Sequence, residues 1–243
     1  MSNNRCNKSL SVVIPAYNEE SCIAKCVTSL ETVLQDISDD FEIVIVDDGS
    51  SDRTGDILEH LKSSRPYLVV VRHERNQGLG RTLRSGFDRC RNEITFYSDA
   101  DLPFDFAELG RALRVMELKS ADAVTGFRHD RTDEGLRRIL YSFAYNWLIR
   151  LVFGLRIRDV NFSFKLVRTA VLREMDLRSD GSFIDAEMMI KADRLGLFVC
   201  QIGVDYFKRK HGDSNLSSMG TIVTILREML REYPALMRIE RRR

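Results

Sequence analysis

Residues 10–20 read LSVVIPAYNEE and residues 41–54 read FEIVIVDDGSSDRT. In each stretch a short run of mostly β-branched residues gives way to polar and acidic residues, a pattern typical of a buried strand followed by a functional or turn-forming loop. Between the two stretches lie apolar residues at helical spacing, namely Ile23, Val27, Leu30 and Leu34. The order strand, helix, strand predicts that the two strands run parallel in one sheet.

The same alternation continues to about residue 127. It predicts further strands at Leu68–Arg72, Glu93–Tyr97 and Asp122–Gly126, with helices at Ser21–Leu34, Thr54–Leu61, Gly80–Arg91 and Phe106–Lys119. Beyond that point the chain is rich in arginine and mainly helical, with one short strand near Phe198–Val204. We therefore predict an α/β fold whose mostly parallel central sheet is flanked by helices and followed by a mainly helical C-terminal portion. No linker is evident, so residues 1–243 are expected to form a single domain with halves at about 10–127 and 128–243.

Charge is unevenly divided along the chain. The 243 residues include 37 basic and 36 acidic ones, a net charge of +1, which argues against a uniformly basic nucleic-acid-binding protein. Residues 1–122 carry 15 basic and 21 acidic residues, a balance of −6, whereas residues 123–243 carry 22 and 15, a balance of +7. The acidic half is therefore suited to binding cations and the basic half to binding anions.

The targeting features favour a cytoplasmic protein that is peripheral to a membrane. The five cysteines form no CxxC pair, which fits a reducing compartment. The N-terminus lacks the apolar region of a signal peptide, and no stretch supplies the ~20 apolar residues of a membrane span. Residues Ile139–Leu155 and Thr221–Ile239 combine apolar residues at helical spacing with arginines. Such helices bind membrane interfaces, although helices facing the core of a domain are the alternative.

Polar clusters follow four of the predicted strands. They are PAYNE at 15–19, DDGS at 47–50, RNQG at 75–78 and DAD at 99–101. In open α/β sheets, ligands bind beyond the carboxyl ends of the strands, so the four clusters predict one binding site. The first cluster has no glycine and continues into two glutamates, which would repel a bare pyrophosphate, and no GxxxxGK[ST] occurs. A dinucleotide-binding oxidoreductase and a P-loop protein are therefore disfavoured.

Asp99 and Asp101 alternate around one residue at a strand end. Such carboxylates can present oxygens to Mg²⁺ or Mn²⁺, which prefer hard oxygen ligands. A cation there would neutralise a diphosphate and stabilise the charge of a departing nucleoside diphosphate. We therefore predict a metal site at Asp99 and Asp101.

The segments VVIPAYNEE, IVIVDDGSSDRT, NQGLGRTLRSG and YSDADL together resemble the family 2 inverting glycosyltransferases, which have the GT-A fold. The resemblance runs from about Leu10 to Leu216. It implies that Asp99 and Asp101 bind the metal. It also implies a set of residues that hold the nucleotide-sugar, namely Pro15, Tyr17, Glu19, Asp47 or Asp48, Asn76 and Asp99.

The second half of the chain is similar to the polyprenyl-phosphate sugar synthases, the group that includes dolichol-phosphate mannose synthase. Its matching positions are Gly126-Phe127-Arg128, Arg138 with Ser142, Asp159 with Ser163 and Phe164, and Arg209 with Gly212 and Ser214. The chain departs from the group at Asn215, where a lysine is usual, and at Pro103, where the mannose synthases usually have glutamine. The resemblance implies that Arg128, Arg138, Ser142 and Arg209 bind the acceptor phosphate.

The function expected from these features is metal-dependent transfer of a hexose, mannose or glucose, from a nucleoside-diphosphate sugar to a polyprenyl phosphate, with inversion. A phosphate monoester has a second pKa of about 6, so it can attack without a general base. A membrane surface or a small membrane subunit would present this lipid. We place Asp101, Asp185, Glu187 and Arg209 at the reacting centre. The acidic half, about residues 10–127, would bind the nucleotide and metal, and the basic half, about residues 128–243, would bind the acceptor.

Two other functions stay open. A soluble glycosyltransferase acting on a hydroxyl of a saccharide or small metabolite would need Asp185 or Glu187 as a general base. These residues lie two apart, in a strand-like stretch before a predicted helix at Met188–Leu195, where Asp185 could instead be a helix N-cap. A nucleotide-sugar-binding subunit without catalysis is the third reading, and the presence of both Asp99 and Asp101 disfavours it.

Overall fold

The computed structural model describes residues 8–129, 136–206 and 219–241, and within these ranges it leaves out the side chains of 136–139, 219, 221 and 222. The strands are β1 (Leu10–Ala16), β2 (Phe41–Asp47), β3 (Leu68–Arg72), β4 (Ile94–Tyr97), β5 (Ala123–Arg128), β6 (Lys165–Arg168) and β7 (Val199–Val204). The helices are α1 (Ile23–Ile37), α2 (Thr54–Lys62), α3 (Leu79–Phe87), α4 (Glu108–Leu118), α5 (Leu136–Phe153), α6 (Thr169–Glu174), α7 (Ile184–Arg194) and α8 (Met219–Arg238).

The seven strands form one sheet in the order β3-β2-β1-β4-β6-β5-β7. The neighbouring strands are parallel except at β6, which runs antiparallel to both β4 and β5. The predicted α/β architecture with a mostly parallel sheet is thus confirmed. Because β1, β2 and β4 are adjacent and parallel, their carboxyl ends meet at one edge of the sheet.

Helices cover both faces of the sheet, as the alternation along β1 requires. Val12 and Ile14 face a core built with α1, α2 and α4, whereas Val13 faces a second core built with α3 and α5–α8. Successive side chains of a strand point to opposite faces, so a strand that is apolar throughout needs a helical layer on each side.

Two local expectations were wrong. Strand β6 (Lys165–Arg168) was missed because it is only four residues long and begins and ends with a charged residue. Its sequence therefore lacks the apolar run that indicates a buried strand. The stretch before the predicted helix at 188 is not strand-like, because α7 already begins at Ile184. Asp185 therefore lies in the first turn of α7 and Phe183 is the N-cap residue, so the N-cap interpretation of Asp185 is also wrong.

Helices α5 and α8 each contribute one face to the second core. Ile149 and Phe153 of α5, and Ile225, Met229 and Leu236 of α8, are buried there. The core-facing alternative is therefore correct for one face of each helix. Among the residues that the structure describes, no helix combines the length and the apolarity needed to cross a bilayer.

Candidate active site

A cavity of about 300 Å³ opens at the edge where the carboxyl ends of β1, β2 and β4 meet. Seven residues singled out from the sequence line it, and they are Pro15, Tyr17, Glu19, Asp48, Asn76, Asp99 and Asp185. Most of the remaining lining was not expected, and it comprises Ala16, Gly78, Leu79, Thr82, Tyr97, Ala100, Asn161 and Ser182. The cavity thus brings together all four polar clusters predicted to meet.

The loops after β1 and β2 are locked to each other. Asn18, in the left-handed region at φ 56°, donates its backbone N–H to Ser50 Oγ at 2.9 Å and accepts the Ser51 N–H on its Oδ1 at 2.8 Å. The backbone N–H of Glu19 donates to Thr54 Oγ1 at 2.8 Å. Asparagine tolerates this backbone conformation better than most residues. These bonds fix Tyr17 and Glu19 on the cavity wall.

Asp47 and Asp48 have different environments. Asp47 is fully buried, accepts the Ser50 N–H at 2.9 Å and lies 3.2 Å from the Arg72 guanidinium. These contacts stabilise the loop that follows β2. Asp48 lines the cavity. Its Oδ1 accepts the Gln77 N–H at 2.9 Å and lies 2.6 Å from His73 Nδ1, and its Oδ2 accepts the Gly78 N–H at 3.0 Å. Of the two aspartates, only Asp48 reaches the cavity.

Three carboxylates surround the buried ring of Tyr97. Burial raises the pKa of Tyr97 well above its ordinary value, and the charges of Asp185, Asp99 and Asp101 raise it further. Asp101 lies in the turn after β4 and is not part of the cavity lining. In the described ranges, no group of three or more Asp, Glu, His or Cys side chains is arranged to hold a metal ion by itself. Metal binding by Asp99 and Asp101 therefore stays a prediction.

Asp185 is a buried carboxylate on the cavity wall. Burial raises its pKa, and the ion pair with Lys165, at 2.5 Å, opposes that rise. The Lys165 ammonium also donates to the Phe162 carbonyl oxygen at 2.6 Å and lies 5.6 Å from the Tyr97 ring centroid. Sequence reasoning missed this lysine, although a single charge within the otherwise uncharged segment VNFSFKLV was a signal for a buried partner.

Glu187 does not line the cavity. It is fully buried, and its two oxygens accept the backbone N–H groups of Arg178 and Ser179, each at 2.8 Å. Lys191 pairs with it at 2.7 Å. The structure therefore places Asp185 at the cavity and uses Glu187 to hold the chain before α7.

The residues predicted to bind an acceptor phosphate are only partly described. Arg128 binds Asp159 through two nitrogens, at 2.8 and 3.0 Å, and its guanidinium lies 5.4 Å from the Tyr206 ring centroid. Ser142 lies half-buried on α5. The side chain of Arg138, and the residues Arg209, Gly212, Ser214 and Asn215, lie outside the described part of the chain. The acceptor set therefore stays a prediction.

Asn161 is a further polar residue at the cavity that sequence reasoning missed. Its Oδ1 is buried and makes no hydrogen bond within the described chain. A buried acceptor without a partner costs about 1–3 kcal/mol, so a donor supplied by a ligand would be favourable here. No sequence signal distinguished Asn161 from an ordinary loop residue.

Comparison with known proteins agrees with the sequence motifs. Residues 11–179 match the family model described as Glycosyl transferase family 2. The chain is similar to the undecaprenyl-phosphate 4-deoxy-4-formamido-L-arabinose transferase of Pseudomonas fluorescens, at 31% identity over 88% of this chain and 62% of that protein. It is also similar to the dodecaprenyl-phosphate galacturonate synthase of Rhizobium johnstonii, at 27% identity over 89% of this chain and 64% of that protein. The chain thus spans less than two thirds of the length of these relatives.

Solved structures show the same fold. Glucosyl-3-phosphoglycerate synthase of Mycobacterium tuberculosis, crystallised with Mn²⁺, UDP-glucose and phosphoglyceric acid, superposes with a TM-score of 0.71. The match covers 92% of this chain and 79% of that one at 22% identity. The similarity supports the GT-A architecture of the sheet and its flanking helices.

Proposed function

Because the chain belongs to glycosyl transferase family 2, we propose that it transfers a sugar from a nucleoside diphosphate to a polyprenyl phosphate, with inversion. The observation that carries this proposal is the cavity at the strand ends, in which Glu19, Asp48 and Asp99 meet. The names of the relatives support a polyprenyl-phosphate acceptor. They also mention a formamido-arabinose and a galacturonate, so the donors to be tested include sugars other than the mannose or glucose expected from the sequence.

The donor would lie against the β1 and β2 loops. Tyr17 is 44% exposed at the cavity, and an exposed aromatic ring can stack on a base. Glu19 and Asn76 offer polar contacts to the nucleoside. The buried Asn161 Oδ1 would accept a hydrogen bond from a sugar hydroxyl.

We assign a divalent cation, Mg²⁺ or Mn²⁺, to Asp99 and Asp101. When bound, such an ion would neutralise the donor diphosphate and stabilise its charge as it leaves. The acidic surroundings of Tyr97 favour a cation at this edge. The Mn²⁺ in the structure of the mycobacterial synthase supports the same assignment.

The acceptor phosphate would be held by Arg128, Arg138, Ser142 and Arg209. Arginine suits this task because its guanidinium can bind a phosphate through two parallel hydrogen bonds. An ionised phosphate needs no base, and Glu187 is already occupied by two backbone N–H groups. Asp185 would then shape the sugar site electrostatically through its pair with Lys165.

Two exposed apolar faces support peripheral binding to a membrane. On α5, Leu140, Phe143, Trp147 and Leu151 recur three or four residues apart and are 57–69% exposed. On α8, an exposed apolar stripe consists of Val223, Leu230, Tyr233 and Met237, and beside it runs an exposed basic stripe of Arg227, Arg231 and Arg238. An apolar stripe flanked by arginines is typical of helices that lie on anionic lipid.

The proposal is tested by supplying radiolabelled GDP-mannose, UDP-glucose and UDP-galacturonate in turn, with undecaprenyl or dolichyl phosphate and Mg²⁺ or Mn²⁺. We expect labelled lipid with at least one donor, and no transfer by Asp99→Asn or after chelation of the metal. Label that appears only in an added saccharide or small metabolite would overturn the lipid acceptor.

A hydroxyl acceptor is the second candidate, and it is favoured by the position of Asp185 on the cavity wall. Asp185→Asn separates the two functions, provided that thermal unfolding shows the variant to be folded, because the change leaves the buried Lys165 without its charge partner. If Asp185 is a general base for a hydroxyl, its loss should lower kcat by about 10²- to 10⁴-fold. With a phosphate acceptor, which is already ionised, we expect a smaller decrease.

A further inference from the structure

Helix α8 contacts the chain beside the cavity through the buried side chain of Glu228. Glu228 lies on the face of α8 opposite the apolar stripe and is 8% exposed. Its Oε1 accepts the Gly181 N–H at 2.7 Å and its Oε2 accepts the Phe183 N–H at 3.3 Å. Ser182, which lines the cavity, lies between these two residues. Through these two hydrogen bonds, α8 holds the segment that places Ser182 on the cavity wall.

The segment that Glu228 holds, residues 178–183, is also bound from two other sides. Glu187 of α7 accepts the N–H groups of Arg178 and Ser179. The Asp180 carbonyl oxygen accepts the N–H of Arg81 in α3 at 3.1 Å, and Asp180 also pairs with Arg84. Residues 178–183 therefore connect α3, α7 and α8, and a shift of this segment would move the cavity walls formed by α3 and α7.

The fit between Glu228 and the segment is close. A Cβ atom added at Gly181 would lie 2.8 Å from both carboxylate oxygens of Glu228. A similar close approach occurs at Gly78, where a Cβ would lie 2.8 Å from the Asp180 carbonyl oxygen. Because Gly78 itself lines the cavity, the segment packs closely against the N-terminus of α3 at the cavity wall.

We propose that Glu228 is a positioning residue that couples binding of α8 to an anionic membrane surface with binding of the nucleotide donor in the cavity. This inference rests on the proposed function. The apolar stripe and the three arginines of α8 would hold the helix on the surface, and Glu228, on its opposite side, would hold residues 178–183 in the arrangement that forms the donor wall. A preorganised site binds more tightly, since less ordering remains to be done.

Coupling of this kind is reciprocal. If an anionic surface raises donor affinity by some factor, bound donor raises affinity for the surface by the same factor. We expect a factor of about 5 or more, the lower end for coupled sites. UDP and GDP with Mn²⁺ serve as probes, titrated by calorimetry without vesicles, with phosphatidylcholine vesicles and with vesicles that also contain phosphatidylglycerol.

The decisive variant is Glu228→Gln, which keeps the shape and weakens both hydrogen bonds. We expect it to bind anionic vesicles as the wild type does but to lose the increase in nucleotide affinity. With vesicle-bound acceptor, its KM for the donor should rise about 5-fold while kcat at saturating donor is retained. Glu232→Gln is the matched control, because it makes the same charge change one turn along α8, and the Glu232 carboxylate accepts its hydrogen bond from Arg231, at 2.9 Å, and not from the backbone of residues 178–183.

Gly181→Ala perturbs the contact between Gly181 and Glu228 from the side of the segment. It should also lose the increase in nucleotide affinity on anionic vesicles, so it provides a second test if Glu228→Gln folds poorly. Coupling that persists in both variants, coupling absent from the wild type, or a wild type that ignores anionic vesicles would each overturn the inference. Failure of the wild type to bind any nucleotide would instead contradict the proposed function. If vesicle binding and nucleotide binding are coupled but no sugar is transferred to lipid, the inference is upheld and only the proposed acceptor is contradicted.

Discussion

The ion pair of Lys165 and Asp185 is a residue-scale feature with a large expected effect. Both side chains are almost completely buried, and removing one partner of such a pair leaves an unpaired buried charge. We expect Lys165→Met to lower the free energy of unfolding by about 3–5 kcal/mol, measured by urea denaturation. The double variant Lys165→Met, Asp185→Asn should recover part of this loss, since no buried charge is then left unpaired. Equal losses in both would contradict the argument.

Cys22 offers a residue-scale test of the local charge. Burial, together with the hydrogen bond to Glu19, raises the pKa of its thiol to about 12. The thiolate is the reactive form, so at about pH 8 Cys22 should react with iodoacetamide on the order of 10³ times more slowly than a free cysteine. Glu19→Gln removes a negative neighbour, lowers the pKa and should speed alkylation, as followed by peptide mass spectrometry. Glu20→Gln, which alters an exposed carboxylate, should leave the rate unchanged.

Much of the candidate site was predictable at this scale, for a physical reason. Pro15, Glu19, Asp48 and Asp99 lie at or just beyond the ends of strands that runs of β-branched residues identify, and parallel strands bring their carboxyl ends to one edge. Asn161 and Ser182 come from loops whose path depends on tertiary packing, so no local pattern marks them. The sequence could not show that Asp48 lines the cavity and Asp47 does not. That difference depends on the direction in which each side chain leaves the backbone, which adjacent aspartates do not reveal.

At the scale of elements, two glycines in different helices should respond in opposite ways to alanine. A Cβ at Gly80 in α3 would overlap the Ser179 carbonyl oxygen and lie 2.8 Å from the Asp180 carbonyl carbon. At Gly110 in α4, the nearest atom would be Ile37 Cγ2 at 3.7 Å, an ordinary contact. We expect Gly80→Ala to destabilise the protein by about 1–3 kcal/mol through overpacking.

Gly110→Ala is the matched control for that change. It should stabilise the protein by about 0.5–1 kcal/mol, because alanine is the better helix former and nothing must move. Thermal unfolding of both variants checks the pair. A stabilising Gly80→Ala would mean that α3 does not pack against residues 178–183.

Helices and strands of the first half were predicted well because each has a local signal in the sequence. The strands are runs of β-branched residues, and the helices have apolar residues at helical spacing. The predicted strand at Leu68–Arg72 agrees with β3 at both ends, and the other strands differ by at most two residues at either end. Strand β6 failed because it has too few residues to show alternation, and its first residue is a buried lysine. The start of α7 failed because the charges at Asp185 and Glu187, two residues apart, imitate strand alternation.

At the scale of the whole molecule, the division of charge is less simple than the balances of −6 and +7 imply. Asn161, Ser182 and Asp185 belong to the basic half, yet they line the same cavity as Glu19 and Asp99. The cavity therefore draws on both halves. Under the proposed function the donor would contact both, so donor and acceptor would not be confined to separate halves. The exposed arginines of α8 remain the part of the basic half with a defined surface role in the proposal.

Those arginines yield a prediction for the molecule as a whole. Replacing Arg227, Arg231 and Arg238 together with glutamine should weaken binding to anionic vesicles on the order of 100-fold, at about 1 kcal/mol for each charge. Vesicle sedimentation at low salt measures the change. A control that replaces Lys25, Lys62 and Arg89, all exposed and outside α8, removes the same charge and should have little effect. Equal weakening in both would show that only net charge matters.

Strand β6 has a consequence for how the chain could be divided. It lies between β4 and β5 and comes from later in the sequence than either. A fragment ending after Arg128 would have β4 and β5 but would lack the strand that joins them, and a fragment beginning at Leu136 would have β6 with no partner on either side. Two such fragments should assemble only with each other, so the protein offers a natural position for a split reporter whose halves are inactive until they are brought together.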